Sequence, residues 1–163
     1  MSAFAAHRDT VRTFVDCMHG GADENALAGI FADDVIMYSP LGDEPTTGRA
    51  AVLEAIRAVG TVANDLTYGE VLSGQRHHAV LFRLRIEDTV VNGMDHILVD
   101  ADGKIAELTI WWRPLPAGVQ MQRRLAALLG TQLWELTTPP PVTSSRSEGP
   151  GHWTKCTTEQ DNS

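Results

Sequence analysis

The sequence predicts an α+β fold, with helices first and antiparallel strands after. Three observations carry this. Apolar residues at helical spacing dominate the chain before Asn64. After Asn64 come four long runs rich in Val, Ile, Leu and aromatic residues, separated by short turns. No helical pattern falls between those runs, so they form a meander rather than βαβ units.

The elements follow in order. From Ala3 to Met18, the residues Phe4, Val11, Phe14, Val15 and Met18 mostly share one helical face, and "GGAD" breaks the pattern. Asp23 is a suitable N-cap for a short helix from Glu24 to Phe31, because its carboxylate can accept from the free N–H groups of the first turn. "DDVIMYSP" reads as a short strand ended by Pro40, and "LGDEPTTG" as a loop of turn residues. A third helix spans Gly48 to Val59, with Val52, Ile56 and Val59 on one side.

The strands are "DLTYGEVLSG", "HHAVLFRLRIED", "TVVNGMDHILVD" and "KIAELTIWWRPL", the last two joined by a hairpin turn at "ADG". Pro114 and Pro116 close this region. "VQMQRRLAALLGTQLWEL" then reads as an amphipathic helix stopped at Gly130. Residues 1–136 are expected to form one domain. Residues 137–163 are rich in Pro, Ser, Thr and Gly, bury too little apolar surface to fold, and are expected to form a disordered tail.

Composition narrows the function. A chain of 163 residues, 43% hydrophobic, supports one ordinary core. Its formal net charge of −8 comes without a long Lys/Arg run, which argues against nucleic acid and anionic membranes as partners. Arg8, Asp9 and Arg12 interrupt any signal-like apolar core, and no stretch is long and apolar enough to span a bilayer, so a cytoplasmic location is expected. Cys17 and Cys156 offer neither a disulfide framework nor metal-ligand spacing. Asp33 and Asp34 lack a third ligand, and no metal or cofactor is expected.

Three stretches, "IFADDVIMYSPLG", "TGRAAVLEAI" and "GMDHILVDADGKIAELTIWW", resemble the nuclear-transport-factor-two-like superfamily, and together they fall within Val11 to Arg113. "MDHILVDADGKI" is most similar to the SnoaL-like polyketide cyclases and the ketosteroid isomerases, which carry an Asp at the place of Asp95. The resemblance implies a cone-shaped α+β barrel, its curved antiparallel sheet wrapped around the N-terminal helices. It also implies that Asp95 points into the cone.

Strand side chains alternate between faces. If Asp95 points inward, so do Ile97 and Val99, while Met94, His96 and Leu98 point out. If Phe82 and Leu84 line the pocket as their counterparts in the resembling enzymes do, the same parity turns His78, Phe82 and Leu84 inward on the preceding strand, and Leu108, Ile110 and Trp112 inward on the last. The outer face, with Met94, His96, Leu98 and Trp111 beside Arg83 and Arg85, is too apolar to leave in water, and a homodimer through this face is expected.

The expected pocket is therefore apolar, with Asp95, the Trp112 indole, and His78, Tyr38 or Ser39 as its polar groups. Phe14, Phe82, Leu84, Ile110 and Trp112 shape the substrate. Such a pocket suits a hydrophobic small molecule with one or two oxygens. Desolvation raises the pKa of a carboxyl so placed, so Asp95 can donate a proton near neutral pH. A neutral pocket Asp in ketosteroid isomerase is the established example of this effect.

The pattern departs from the ketosteroid isomerases at two places. Ser39, just before "PLG", stands where those enzymes carry their general base, and Phe14 or Val15 stands where they carry a helix Tyr. Ile110 stands near the place of the last Asp in limonene-epoxide-hydrolase-like members. The SnoaL-like pattern remains: one Asp, here Asp95 with His78 as a second candidate, acting as acid/base in ring closure or isomerisation of a polyketide- or terpenoid-like molecule. The rival reading is a non-catalytic ligand-binding or dimerisation module, in which Asp95 is a structural carboxylate bonded to a neighbouring Tyr, Trp or backbone group.

Overall fold

The computed structural model describes residues 3–19 and 23–134. The elements are α1 (Ala3–His19), α2 (Glu24–Ile30), β1 (Phe31–Tyr38), β2 (Thr46–Thr47), α3 (Arg49–Val62), β3 (Asn64–Ser73), β4 (His77–Ile86), β5 (Thr89–Val99), β6 (Ile105–Arg113) and α4 (Leu115–Leu129). The strands form one curved sheet in the order β2-β1-β6-β5-β4-β3. This is the cone-shaped α+β barrel, with α1, α2 and α3 packed into the hollow face.

Each boundary has a local cause. Asp23 caps α2 by accepting from the N–H groups of Asn25 and Ala26 at 3.1 and 3.2 Å. Gly130 ends α4 in the left-handed conformation, at φ 64°. Asp65, also at positive φ, turns the chain from α3 into β3, and its carboxylate pairs with Arg85 at 3.0 Å. Asp tolerates this conformation better than most residues.

The structure corrects four expectations. Phe31 belongs to the strand rather than the helix before it. The "LGDEPTTG" loop contains the two-residue β2, which pairs with β1. The sheet is mixed, because β1 runs parallel to β6 while the other pairs are antiparallel. α4 starts at Leu115, so Pro116 lies in its first turn, where a missing N–H costs nothing. The tail expected at 137–163 lies outside the described residues.

The core has two parts. Val11 and Phe14 of α1 and Val52 and Ile56 of α3 pack on Val80, Ile97 and Leu108 of the sheet. Met121 and Leu125 of α4 pack on Phe82, Leu84, Ile86 and Val91 toward the other end of β4 and β5. Tyr68 and Ile110 touch both clusters. The candidate site lies at this junction.

Candidate active site

Asp95 sits in the middle of β5, opposite Val80 on β4 and Ile110 on β6. Only 4% of it is exposed. It borders a cavity of about 70 Å³ lined by Phe14, Met37, Phe82, Ile110 and Trp112, among other mostly apolar side chains. Few polar groups share this space. Tyr68 Oη donates to Asp95 Oδ2 at 2.9 Å. Ser39 lies at the wall, its Oγ accepting from the Leu41 N–H at 3.2 Å.

These surroundings set the ionisation of Asp95. Burial pushes its pKa from 3.8 up to about 7, against the opposing effect of the Tyr68 hydrogen bond, which favours the carboxylate. Burial also raises the Tyr68 pKa well above its usual value, and the neighbouring Asp95 charge adds to the shift. Tyr68 therefore stays a neutral donor. Asp95 is poised to hold or release a proton near neutral pH.

The expected site residues divide into two groups. Asp95, Phe14, Ser39, Phe82, Leu84, Ile110 and Trp112 line the one cavity. His78 does not reach it: it faces the same side of the sheet but lies further along β4, 1% exposed, where burial and the nearby His7, His77 and Arg8 charges lower its pKa. Neither of its ring nitrogens has a partner among the described residues. Tyr38 is also absent from the cavity wall. It pairs with Thr109 and is 39% exposed, while its neighbour Met37 pairs with Leu108 and lines the cavity.

Sequence reasoning missed Tyr68, the residue that touches the acid. Leu66 and Tyr68, two apart on β3, both line the cavity. A hydroxyl-bearing aromatic in the inward phase of that strand was the available signal. A second polar group is the Trp112 indole, whose Nε1 is buried with no hydrogen-bond partner. Buried donors are rarely left so. Trp112 pairs with Gly93 on β5, two residues from Asp95.

The cavity is small as it stands. Sites for drug-sized ligands enclose about 300–1,000 Å³, and 70 Å³ holds roughly two waters at about 30 Å³ each. Among the described residues no cluster of three or more His, Cys, Asp or Glu could hold a metal ion, and no helix is long and apolar enough to cross a membrane.

Comparison with known proteins places this geometry among relatives. The SnoaL-like domain family matches residues 11–108. A steroid Delta-isomerase from Nocardioides simplex is 30% identical over 110 residues, covering 64% of this chain and 87% of that protein. The crystal structure of a steroid delta-isomerase from Pseudomonas aeruginosa aligns with a TM-score of 0.69 at 26% identity, over 78% of this chain and 96% of that one. An epoxide hydrolase/cyclase-like enzyme with a role in pyran ring formation in the polyether salinomycin shares the fold, with a TM-score of 0.57 at 22% identity over 67% of this chain and 92% of that one.

Proposed function

The chain belongs to the SnoaL-like domain family, and from that premise we propose a cyclase or isomerase that acts on a hydrophobic polyketide- or terpenoid-like molecule, with Asp95 as its acid/base. One observation carries this reading: a carboxyl buried in an apolar cavity, with a pKa of about 7 and one hydroxyl donor beside it. General acid–base catalysis works best when the pKa lies near the operating pH, and contributes roughly 10²–10⁴-fold.

The roles follow from the contacts. Tyr68 occupies Oδ2, which leaves Oδ1 to meet the substrate. Protonated, Asp95 donates to a carbonyl or epoxide oxygen. Ionised, it accepts a proton from carbon or from an attacking hydroxyl, and the Tyr68 bond stabilises that carboxylate. The unpartnered indole N–H of Trp112 supplies a second donor for a substrate oxygen. Phe14, Phe82, Leu84 and Ile110 hold the substrate in a reactive shape, so proximity adds to the acid's contribution.

Ser39 bears on which chemistry is open to the site. A hydroxyl with no base beside it does not remove a proton from carbon at neutral pH. Asp95 therefore both gives and takes the proton, which fits aldol closure, epoxide opening or a one-acid isomerisation.

A non-catalytic binding module is a second reading, favoured by the cavity volume of about 70 Å³. The pKa of Asp95, followed by carboxyl-carbon NMR with Asp95→Asn to assign the signal, separates the two. A value near 7 is expected. A value at the ordinary ~3.9 overturns the acid/base reading in favour of the module.

The outer sheet face supports a homodimer. Trp111, Leu81 and Leu72 are exposed there, and Met94 and Leu98 are half-buried. Large apolar groups gathered on one face favour association.

A further inference from the structure

The central cavity shares a wall with a second, larger space. Met18, Ile56, Val59 and Leu66 line both. Beyond them lies a cleft of about 540 Å³ between the C-terminal ends of α1 and α3 and the start of β3. Its chemistry differs from that of the cavity, because His19, Arg57, Thr61 and Asp65 stand along its sides. His19 Nε2 accepts from the Tyr68 N–H at 2.8 Å, so a neutral His19 carries its proton on Nδ1, as a donor.

The cavity wall is built differently on its two sides. Toward α4, where Leu41, Leu125 and Leu129 line it, hydrogen bonds fasten the wall. Trp134 Nε1 donates to the Leu41 carbonyl at 3.0 Å, while the buried Gln122 amide donates to the Gln132 carbonyl at 2.6 Å and accepts from the Trp134 N–H at 3.1 Å. The shared wall consists of apolar side chains only. Met18 is the adaptable member, since an unbranched thioether with three rotatable bonds changes shape at little cost. The His19 bond to β3 keeps the end of α1 in place while the Met18 side chain turns.

We propose that cleft and cavity are two halves of one binding site, that substrate reaches Asp95 through the cleft, and that Met18 is the partition between them. This rests on the acid/base reading of Asp95. Joined, the two spaces reach the volume of an ordinary ligand site, which the cavity alone does not. The ligand class follows from the lining: an amphipathic molecule with an apolar, oxygen-bearing ring system at Asp95 and Trp112. Its more polar end lies among His19, Arg57 and Thr61.

The test uses 2-naphthol, an apolar two-ring body with one hydroxyl, and 1-anilinonaphthalene-8-sulfonate, which adds a charged end. Gly60 lies on the exposed side of α3, lines the cleft, and has open space around a Cβ. Gly60→Phe therefore fills the cleft without a folding cost, since almost any residue is a better helix former than Gly. By stopped-flow tryptophan fluorescence, Gly60→Phe is expected to slow 2-naphthol association about tenfold or more and to abolish binding of the sulfonate, with Tm and the Asp95 pKa unchanged. Met18→Ala is expected to speed association severalfold.

Unchanged association in Gly60→Phe, together with faster association in Trp134→Phe, overturns the proposal and places access under α4. Failure of the parent chain to bind either probe overturns it too. An ordinary Asp95 pKa with the association pattern as expected defeats the acid/base reading and leaves the access route standing, so the two failures are distinguishable.

Discussion

The Phe82 ring lies over Gly93, in space that a side chain would occupy: a Cβ on Gly93 would stand 2.1 Å from Phe82 Cζ. The pair belongs to a row that crosses four strands. Tyr68 pairs with Phe82, Phe82 with Gly93, and Gly93 with Trp112. With no side chain at Gly93, the Phe82 ring folds down onto β5. Its centroid is 6.0 Å from that of Tyr68, whose hydroxyl reaches the next inward residue of β5, Asp95.

Gly93→Ala is expected to drive the Phe82 ring off β5 into the cavity. Overpacking of this kind costs about 1–3 kcal/mol. Urea unfolding measures the loss, and weaker 2-naphthol binding in the folded variant checks that the ring has moved into the site. Unchanged stability and binding would show that Phe82 relaxes elsewhere.

Asp95 makes stability depend on pH. Its folded pKa of about 7 lies above the unfolded value of 3.8. Between those values the folded chain keeps a proton that the unfolded chain has lost, so stability falls as pH rises through the window and levels off above it. The full difference is on the order of 4 kcal/mol. Asp95→Asn is expected to abolish this slope in urea unfolding and to be more stable than the parent at about pH 8.

Tyr68→Phe removes the one bond that favours the Asp95 carboxylate. The Asp95 pKa is expected to move further up from about 7, as read by carboxyl-carbon NMR, and stability to fall by about 1–2 kcal/mol. A downward shift would mean that Tyr68 serves the protonated form.

Ser39→Asp places a carboxylate at the cavity wall, at the position that the sequence resemblance aligns with the general base of the ketosteroid isomerases. Conversion of a β,γ-unsaturated ketosteroid to its conjugated isomer is expected to rise at least about tenfold over the parent, within the range for a positioned base. The absorbance of the product enone reports it. No gain would show that the cavity does not present the steroid carbon to residue 39.

Trp111→Glu places a charge on the outer sheet face, at a side chain that is 58% exposed in the single chain. Light scattering is expected to show a dimer for the parent and a monomer for the variant, with the Asp95 pKa unchanged. A monomeric parent would remove the homodimer from the proposal.

Much of this was legible in the sequence because short-range rules govern it. Period-two alternation, with the family resemblance fixing which side is inward, assigns Asp95, Phe82, Leu84, Ile110 and Trp112 to one face of the sheet, and a one-residue slip of any one strand would move that strand's members to the other. The same rule put His78 on that face, yet it could not say which length of β4 borders the cavity. Tyr38 escaped because the parallel pairing of β1 with β6 directs Met37 inward and Tyr38 away from the cavity.

The sequence by itself determined the order of the main helices and strands, the family resemblance and, through that resemblance, an acid on an inward strand position, since these depend on local pattern along single segments. The tertiary structure decided the rest. Tyr68 meets Asp95 across β4, from a strand whose pairing is interrupted by two register shifts, so the inward phase of Tyr68 is readable along the chain while its contact with Asp95 is not. The size of the cavity and its Met18 wall likewise arise where α1, α3, α4 and the sheet converge. Packing between distant segments sets the space left among them, and therefore the environment that moves the Asp95 pKa.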